Sequence, residues 1–230
     1  KMQDEHYYSV RGRRKETYGK KVGFPYKYGI VIAVQMDYDY MVEAPRINEA
    51  IETSNIYVKV AMISMQLSYF IKSLGYPARN NIDGDYLVNA PAVAVSAGLG
   101  ELGRIGLLVN KKYGPRIRLA VVTTDIPLIA DKPKEFDLKE FCIMCRQCAK
   151  ACPSKAISLK KYKKEDNILG WQINQENCFS EWLKQGTDCG ICLRACPFFH
   201  SKKYNMEDIL SLSKKEQVKF IKKHEKYIKK

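Results

Sequence analysis

All eight cysteines of the 230-residue chain lie between positions 142 and 196. Four of them follow the spacing C-x2-C-x2-C-x3-C-P, and a shorter C-x2-C-x3-C-P run comes later, preceded by one further cysteine. Thiols gathered in this way, in a sequence with no visible secretory signal, indicate metal ligands rather than a disulfide scaffold. In two-cluster ferredoxins, three thiolates of the longer run hold one [4Fe–4S] cluster, and the fourth, placed before proline, holds the other.

This rule divides the cysteines into two complete sets of four ligands. The set for cluster 1 is Cys142, Cys145, Cys148 and Cys196, and the set for cluster 2 is Cys152, Cys178, Cys189 and Cys192. Cys178 replaces the first cysteine that the shorter run lacks. Four-cysteine sites also bind zinc, but zinc ribbons use two separated pairs of cysteines. The sequence therefore predicts two [4Fe–4S] clusters that pass single electrons to an acceptor elsewhere in the chain.

The charge of the chain restricts its partners. Lys and Arg total 39 against 25 Asp and Glu, which gives a net charge of +14. This excess favours anionic partners such as an acidic electron donor, an acidic membrane surface or nucleic acid. No apolar run is long enough to span a bilayer. We expect a cytoplasmic protein, or a peripheral one at the membrane if a leader has been removed.

The pattern of the remaining sequence predicts an α+β fold. Residues 30–34 and 117–124 read as strands, and apolar residues at helical spacing predict a long helix between Pro45 and Gly75. We expect four consecutive segments, namely a basic N-terminal arm (1–27), an α/β core (28–133), a two-cluster module (134–200) and a basic C-terminal helix (201–230).

A glycine-rich run precedes the second strand. Gly98 to Gly103 reads G-x-G-x-x-G, but no acidic residue follows about twenty positions on, as a dinucleotide site would require. One interpretation is a tight glycine-rich turn in which the backbone packs closely on a neighbouring group. We prefer the other, which is close approach of this loop to a large flat cofactor.

Several longer strings resemble the corrinoid-dependent reductive dehalogenases. They are, in chain order, MDYDY, FIKSLGY, SAGLGELGRIGLLVNKKYGPRIRLAVVTTDIPL, FCIMCRQCAKACPSKAI and WQINQENCFSEWLKQGTDCGICLRACPF. The resemblance covers residues 28–199 and implies a nitroreductase-like α/β core that holds a base-off cobalamin, beside a ferredoxin-like bis-[4Fe–4S] module. It further implies that the clusters feed electrons to the corrinoid and that hydrogen replaces the halide of an organohalide.

The resemblance also assigns roles to individual residues. Tyr57 matches the proton donor, and Arg116 matches a cation that would acidify it. The implied cofactor-binding residues are Met36, Tyr38, Ser96, Gly98, Leu99, Gly100, Glu101, Leu102, Gly103 and Arg104. The D-x-H-x-x-G motif that supplies a histidine to cobalt in other corrinoid proteins is absent from the sequence, in agreement with base-off binding.

The chain departs from the family pattern in two places. Asn81, Asp83 and Asp85 stand where a G-N-D-T-like segment is usual, so the substrate-facing residue among them stays open. The long N-terminal region of the family is largely missing. The expected partners are a low-potential electron donor (ferredoxin, flavodoxin or a membrane anchor system) and a small organohalide, and a homo-oligomer is compatible with the sequence.

Two other functions compete with this one. An epoxyqueuosine-reductase-like enzyme would use the same cofactors on tRNA, which suits the positive charge. That family typically shows G-W-I-G-K where this chain has Gly100 to Arg104 with G-E-L-G-R. A ferredoxin-type electron-transfer protein would need no corrinoid, and its glycine-rich run would be structural.

Overall fold

The computed structural model describes residues 1–3, 6–8, 20–23, 26–160, 171, 173–200 and 203–225. The chain forms two compact units that interleave along the sequence. The core unit comprises Lys1–Val34, Asn55–Leu99 and Arg118–Pro133, and the cluster unit comprises Gln35–Ser54, Gly100–Ile117 and Lys134–Lys230. These units cut across the predicted consecutive segments, because two stretches of the expected core, 35–54 and 100–117, pack with the cysteine-bearing part.

A three-stranded sheet organises the core unit. It contains β1 (Tyr28–Gln35), β2 (Ala78–Asn81) and β5 (Ile117–Thr124) in the order β1-β5-β2. Strands β2 and β5 are antiparallel, with Ala78 opposite Thr124. The predicted strands are present, and the apolar side chains of β5 are buried because the strand lies in the middle of the sheet.

The predicted long helix is α2 (Ile47–Ser73), and it runs without a break at Thr53. Its buried residues include Ile56, Val60, Ser64, Ser68 and Ile71. The apolar positions that predicted the helix lie on another face, where Val58, Met62 and Tyr69 are 61%, 56% and 65% exposed. Helical spacing thus identified the element but not the face that this chain buries.

The cluster unit is built from short elements. They are α1 (Tyr38–Met41), β3 (Glu101–Leu102), β4 (Leu108–Val109), α4 (Leu138–Cys145), α5 (Gln147–Ala151), α6 (Gln175–Gln185), α7 (Ile191–Arg194), a 3₁₀ turn (Pro197–His200), α8 (Met206–Ser211) and α9 (Lys214–His224). The core unit adds α3 (Ala90–Ser96). Strands β3 and β4 form an antiparallel hairpin.

The C-terminal segment forms two helices and not the single one predicted. The chain leaves the helical conformation at Leu212, and Ser213 begins α9 with a capping box to Glu216. Ile221 of α9 joins a buried cluster with Phe141. This packing supports a structural role for the described part of the tail. The last residues of the tail, including Ile228, lie outside the described part of the chain.

The described residues of the N-terminal segment pack on the core unit, so their description as an arm is corrected. Tyr7 bridges to Val88, and its hydroxyl donates to the carbonyl of Tyr26 at 2.9 Å. Val22 is buried in the same cluster. The basic residues between positions 9 and 19 lie outside the described part of the chain.

Among the described residues, no helix combines the length and apolarity needed to cross a bilayer.

Candidate functional site

The first cysteine run owes its shape to a reversal between two short helices. Cys142 and Cys145 lie on α4, and Cys148 lies on α5. Arg146 separates the helices and takes a left-handed conformation with φ 55°. This single residue breaks the helical path, so three thiols spaced by two residues do not follow one straight helix.

The second run turns in the same way. Cys189 and Gly190 are both left-handed, with φ 68° and 58°, immediately before α7 carries Cys192. A β-carbon at Gly190 would come within 2.7 Å of Oε1 of Glu49, so close packing also favours glycine there. Cys178, the ligand outside the run, lies on α6.

The electrostatic influence of the cysteines on one another shows which thiols are neighbours in the first set. Burial is the largest cause of each raised pKa, and neighbouring thiols raise it further. Cys196, Cys142 and Cys145 all raise the pKa of Cys148, and Cys196 and Cys142 raise that of Cys145. Cys142 also raises the pKa of Cys196. Every pair within the predicted cluster 1 set is therefore close.

The thiols of the predicted cluster 2 set also raise one another's pKa. Beyond burial, Cys189, Cys178 and Cys152 raise the pKa of Cys192. Cys178 and Cys152 also raise that of Cys189, and Cys152 raises that of Cys178. The two sets meet where Cys192 raises the pKa of Cys148. These mutual influences are those expected for the crosswise grouping, and the assignment of ligands to clusters stays a prediction.

The chemistry of the thiols fits iron–sulfur clusters. All eight cysteines are free of disulfides. Burial raises the pKa of Cys142 to about 11 and that of Cys192 and Cys196 to about 12, so positive metal charge is needed to hold them as thiolates. Among the described residues, no group of three or more Cys, His, Asp or Glu converges on a point for one metal ion.

Two residues predicted to bind the cofactor make hydrogen bonds within the cluster unit. Oε2 of Glu101 accepts hydrogen bonds from the backbone N–H groups of Phe136 (3.0 Å) and Leu138 (3.2 Å). Glu101 thereby caps α4, whose N-cap residue Asp137 makes no side-chain cap. Nε of Arg104 donates to the carbonyl of Cys142 at 3.1 Å.

The glycines of the run have local explanations. Gly98 has φ 71° and ends α3, where its N–H bonds to the carbonyl of Val95 and that of Leu99 bonds to Ala94. A β-carbon at Gly100 would clash with the carbonyl oxygen of Val109. The preferred interpretation, close approach to a flat cofactor, is therefore not needed to explain Gly98 or Gly100.

Gly103, like Gly100, packs within the β3–β4 hairpin. A β-carbon there would lie 2.9 Å from Cγ2 of Val109. Leu102, another predicted cofactor residue, pairs with Leu108 in the same hairpin. In the second half of the run, Gly100 thus packs against the backbone of Val109 and Gly103 against its side chain.

Arg116 lies at the centre of a buried aromatic group in the cluster unit. Its Nη1 donates to the carbonyl of Met36 at 2.9 Å and its Nε to that of Phe199 at 2.8 Å. Its guanidinium carbon is 5.5 Å from the ring centroids of both Tyr38 and Phe199. Nε2 of His200 donates to the carbonyl of Arg194 at 3.1 Å, so Nδ1 accepts the Tyr38 hydroxyl at 2.9 Å.

Tyr57 lies in the core unit, and the cation above it is Arg118. The guanidinium carbon of Arg118 is 4.8 Å from the centroid of the Tyr57 ring. Tyr86 is the third member of this group, since burial raises its pKa, Tyr57 raises it further and Arg118 lowers it. Sequence reasoning placed the cation at Arg116. It did not single out Arg118, which lies in the same Y-G-P-R-I-R-L string, and the role of Arg116 stays a prediction.

The three candidates for a substrate-facing residue have different surroundings in the structure. Asn81 is buried and its Nδ2 donates to the carbonyl of Val121 at 3.1 Å, so its amide serves the sheet. Asp85 forms an ion pair with Arg79 at 3.0 Å. Asp83 raises the pKa of Tyr86, which places it with the Tyr57 group.

A cavity of about 580 Å³ lies within the core unit. Ser96 and Leu99, both predicted cofactor residues, contribute to its wall together with His6. Nδ1 of His6 accepts the N–H of Gln3 at 2.9 Å, so the neutral ring donates from Nε2 to the Ser96 hydroxyl at 2.8 Å. Sequence reasoning had not connected His6 with this region, because 90 residues separate it from Ser96.

Comparisons with known proteins agree with the cysteine geometry. The 4Fe-4S dicluster domain family matches residues 141–200. The chain is thus an iron–sulfur protein with a two-cluster module.

Relatives extend the likeness beyond the module. A tetrachloroethene reductive dehalogenase of Desulfitobacterium hafniense is 36% identical over 197 residues, which cover 81% of this chain and 35% of the relative. One of Sulfurospirillum multivorans is 35% identical over 176 residues, covering 74% and 35%. The solved catabolic reductive dehalogenase NpRdhA has a TM-score of 0.79 at 27% identity, covering 97% of this chain and 32% of that one.

The chain belongs to the reductive dehalogenase family and spans about a third of the length of these relatives. The predicted fold class, an α+β protein with a nitroreductase-like core and a ferredoxin-like module, is confirmed. A solved epoxyqueuosine reductase with a tRNA stem loop shares the fold at a TM-score of 0.52 and 20% identity.

Proposed function

We propose that the chain is a corrinoid- and iron–sulfur-dependent reductase that replaces the halide of an organohalide by hydrogen. The observation that carries the proposal is the placement of Arg118 over Tyr57 in a chain that also holds two four-thiol sets. The names of the relatives supply the reaction class. The reaction consumes two electrons and one proton and releases one halide.

The two clusters would supply those electrons one at a time from an external low-potential donor. Tyr57 would supply the proton from its hydroxyl to the carbon that loses the halide. Arg118 is permanently charged and lies against the ring, so it stabilises the phenolate that remains. The partly buried Tyr86 and the carboxylate of Asp83 complete the charge environment of this group.

A base-off corrinoid would lie partly against the residues that line the cavity of the core unit. When bound, it would supply the low-valent metal chemistry that cleaves the carbon–halogen bond. Ser96 and Leu99 would contact it, and both lie in the cavity wall. Both ring nitrogens of His6 are engaged by Gln3 and Ser96, which supports binding without a histidine ligand to the metal.

Anaerobic reconstitution with iron, sulfide and hydroxocobalamin tests the proposal. We expect two [4Fe–4S] clusters and one cobalt per chain, and halide release from a panel that includes tetrachloroethene. Tyr57→Phe should abolish halide release at unchanged iron and cobalt content, because the proton is lost. Tyr69→Phe is the matched control, since Tyr69 is an exposed tyrosine on the same helix.

Arg118→Gln should lower halide release about tenfold to a hundredfold, and Arg118→Lys should retain part of it, because the charge is kept. Iron without cobalt would leave an electron-transfer protein. Salt-sensitive tRNA binding with cobalt present but no halide release would favour the epoxyqueuosine-reductase class. Such an enzyme from Lactococcus garvieae is 30% identical over 122 residues, covering 51% of this chain.

A further inference from the structure

Arg104 is a buried cation held inside the cluster unit. Its side chain is 1% exposed, and its Nη1 donates to the carbonyls of Ser158 at 2.7 Å and Lys160 at 3.0 Å. Its Nε donates to the carbonyl of Cys142 at 3.1 Å. The ring of Trp171 covers the guanidinium, with 4.9 Å between its carbon and the ring centroid. These partners are neutral, so they fix the position of the positive charge without cancelling it.

One donor of this guanidinium remains unused. Nη2 of Arg104 is buried and has no hydrogen-bond partner among the described residues. An unsatisfied buried donor on a charged group is costly, so its retention calls for an acceptor that the described residues do not provide. The charge of Arg104 acts on Cys148, Cys142 and Cys145, three of the four predicted ligands of cluster 1. A cluster held by these thiols would bring sulfur acceptors near this guanidinium.

We propose that Arg104 is a tuning residue for cluster 1, which donates a hydrogen bond from Nη2 to a sulfur of that cluster and raises its reduction potential. Reduction adds one negative charge to the cluster. A fixed positive charge in a low-dielectric interior stabilises that reduced form, and net charge and hydrogen bonds to sulfur set cluster potentials. The inference depends on the iron–sulfur clusters alone and not on the corrinoid or the substrate.

A potentiometric titration followed by EPR tests this inference on the reconstituted full chain. Arg104→Gln should make reduction of one cluster less favourable by about tenfold or more, which is about 59 mV for a one-electron couple. The other cluster should titrate as in the unaltered chain. Arg104→Lys keeps the positive charge, so the potential of this cluster should stay close to its value in the unaltered chain.

Lys150→Gln is the matched control. It also removes one positive charge from the cluster unit, but Lys150 is 49% exposed and paired with Glu225 at 3.0 Å. Solvent screens such a charge, so we expect a change of less than about threefold. An equal shift in both variants would overturn the role of burial, and unchanged potentials in Arg104→Gln with full iron would overturn the inference.

A second measurement covers the case in which Arg104→Gln loses iron. The unaltered chain, labelled with ¹⁵N in its arginine guanidinium groups, should show a nitrogen coupling to one reduced cluster in hyperfine EPR. Arg104→Lys should remove that coupling. Its absence from the unaltered chain would contradict the hydrogen bond, whereas absence of iron from the unaltered chain would contradict the cluster assignment itself.

Discussion

Gly114 should be the glycine at which an added methyl group does most damage to cluster 1. It is left-handed, with φ 60°, and exchanges backbone hydrogen bonds with Asn110 at 2.8 and 2.9 Å. A β-carbon there would clash with the carbonyl of Phe198 and lie 3.2 Å from the backbone nitrogen of Phe199. Backbone atoms cannot move aside as a flexible side chain would. The strain in Gly114→Ala must therefore displace the turn that follows Cys196.

The expected cost has two parts. A left-handed alanine costs about 1–2 kcal/mol, and forcing a methyl group into packed structure typically adds about 1–3 kcal/mol. Gly186→Ala isolates the first part, because Gly186 has φ 69° and nothing lies within 4 Å of its added β-carbon. The two variants should thus differ by about 1–3 kcal/mol, a large share of the stability of an ordinary domain.

The assay compares both variants after anaerobic reconstitution. Gly114→Ala should lower the thermal midpoint by several degrees more than Gly186→Ala and should lose iron faster to a chelator. The EPR signal of one cluster should fall first, because Phe198 follows Cys196, a ligand of cluster 1, by two residues. Equal midpoints and equal iron retention in the two variants would refute the steric reasoning.

Two further outcomes follow from the cysteine sets and from the buried histidine. Cys178→Ser should lose roughly half of the iron and the EPR signal of cluster 2 only, and loss of both signals would contradict the grouping. Burial lowers the pKa of His200 from 6.5 to about 4, and Lys203, Arg116 and Arg194 also disfavour its proton. Stability present above pH 6.5 should fall by up to about 3 kcal/mol as the pH drops towards 4, because the unfolded state binds the proton first. His200→Phe should flatten this dependence in thermal melts at several pH values.

The cluster ligands could be predicted from sequence because their signal is local. Spacing of two and three residues, with proline after the last cysteine, dictates which thiols turn together. Even Cys178, outside both runs, followed from counting ligands. The long helix α2 could also be predicted from local sequence, since the spacing of its apolar residues identifies a helix. Its buried face could not, because burial depends on what packs against the helix.

The roles of the charged residues could not be predicted from the local sequence. Arg116 and Arg118 are two positions apart in one string, and neither composition nor spacing says which of them meets Tyr57. The contacts distinguish them, since Arg116 bonds to Met36 and Phe199 while Arg118 covers Tyr57, and our proposal therefore uses Arg118. Partners separated by 80 or more residues, as in both bonds of Arg116, leave no trace in local sequence.

The sequence of the glycine-rich run suggested one function, but its two halves belong to different units of the structure. Up to Leu99 the run belongs to the core unit, where Gly98 ends α3. From Gly100 onward it belongs to the cluster unit, where Glu101 caps α4 and Arg104 binds the carbonyl of Cys142. A substitution at Arg104 should therefore change a cluster potential at unchanged cobalt content, while one at Leu99 should weaken corrinoid uptake and leave both potentials in place. Such a separation would be impossible if the whole run were one cofactor loop.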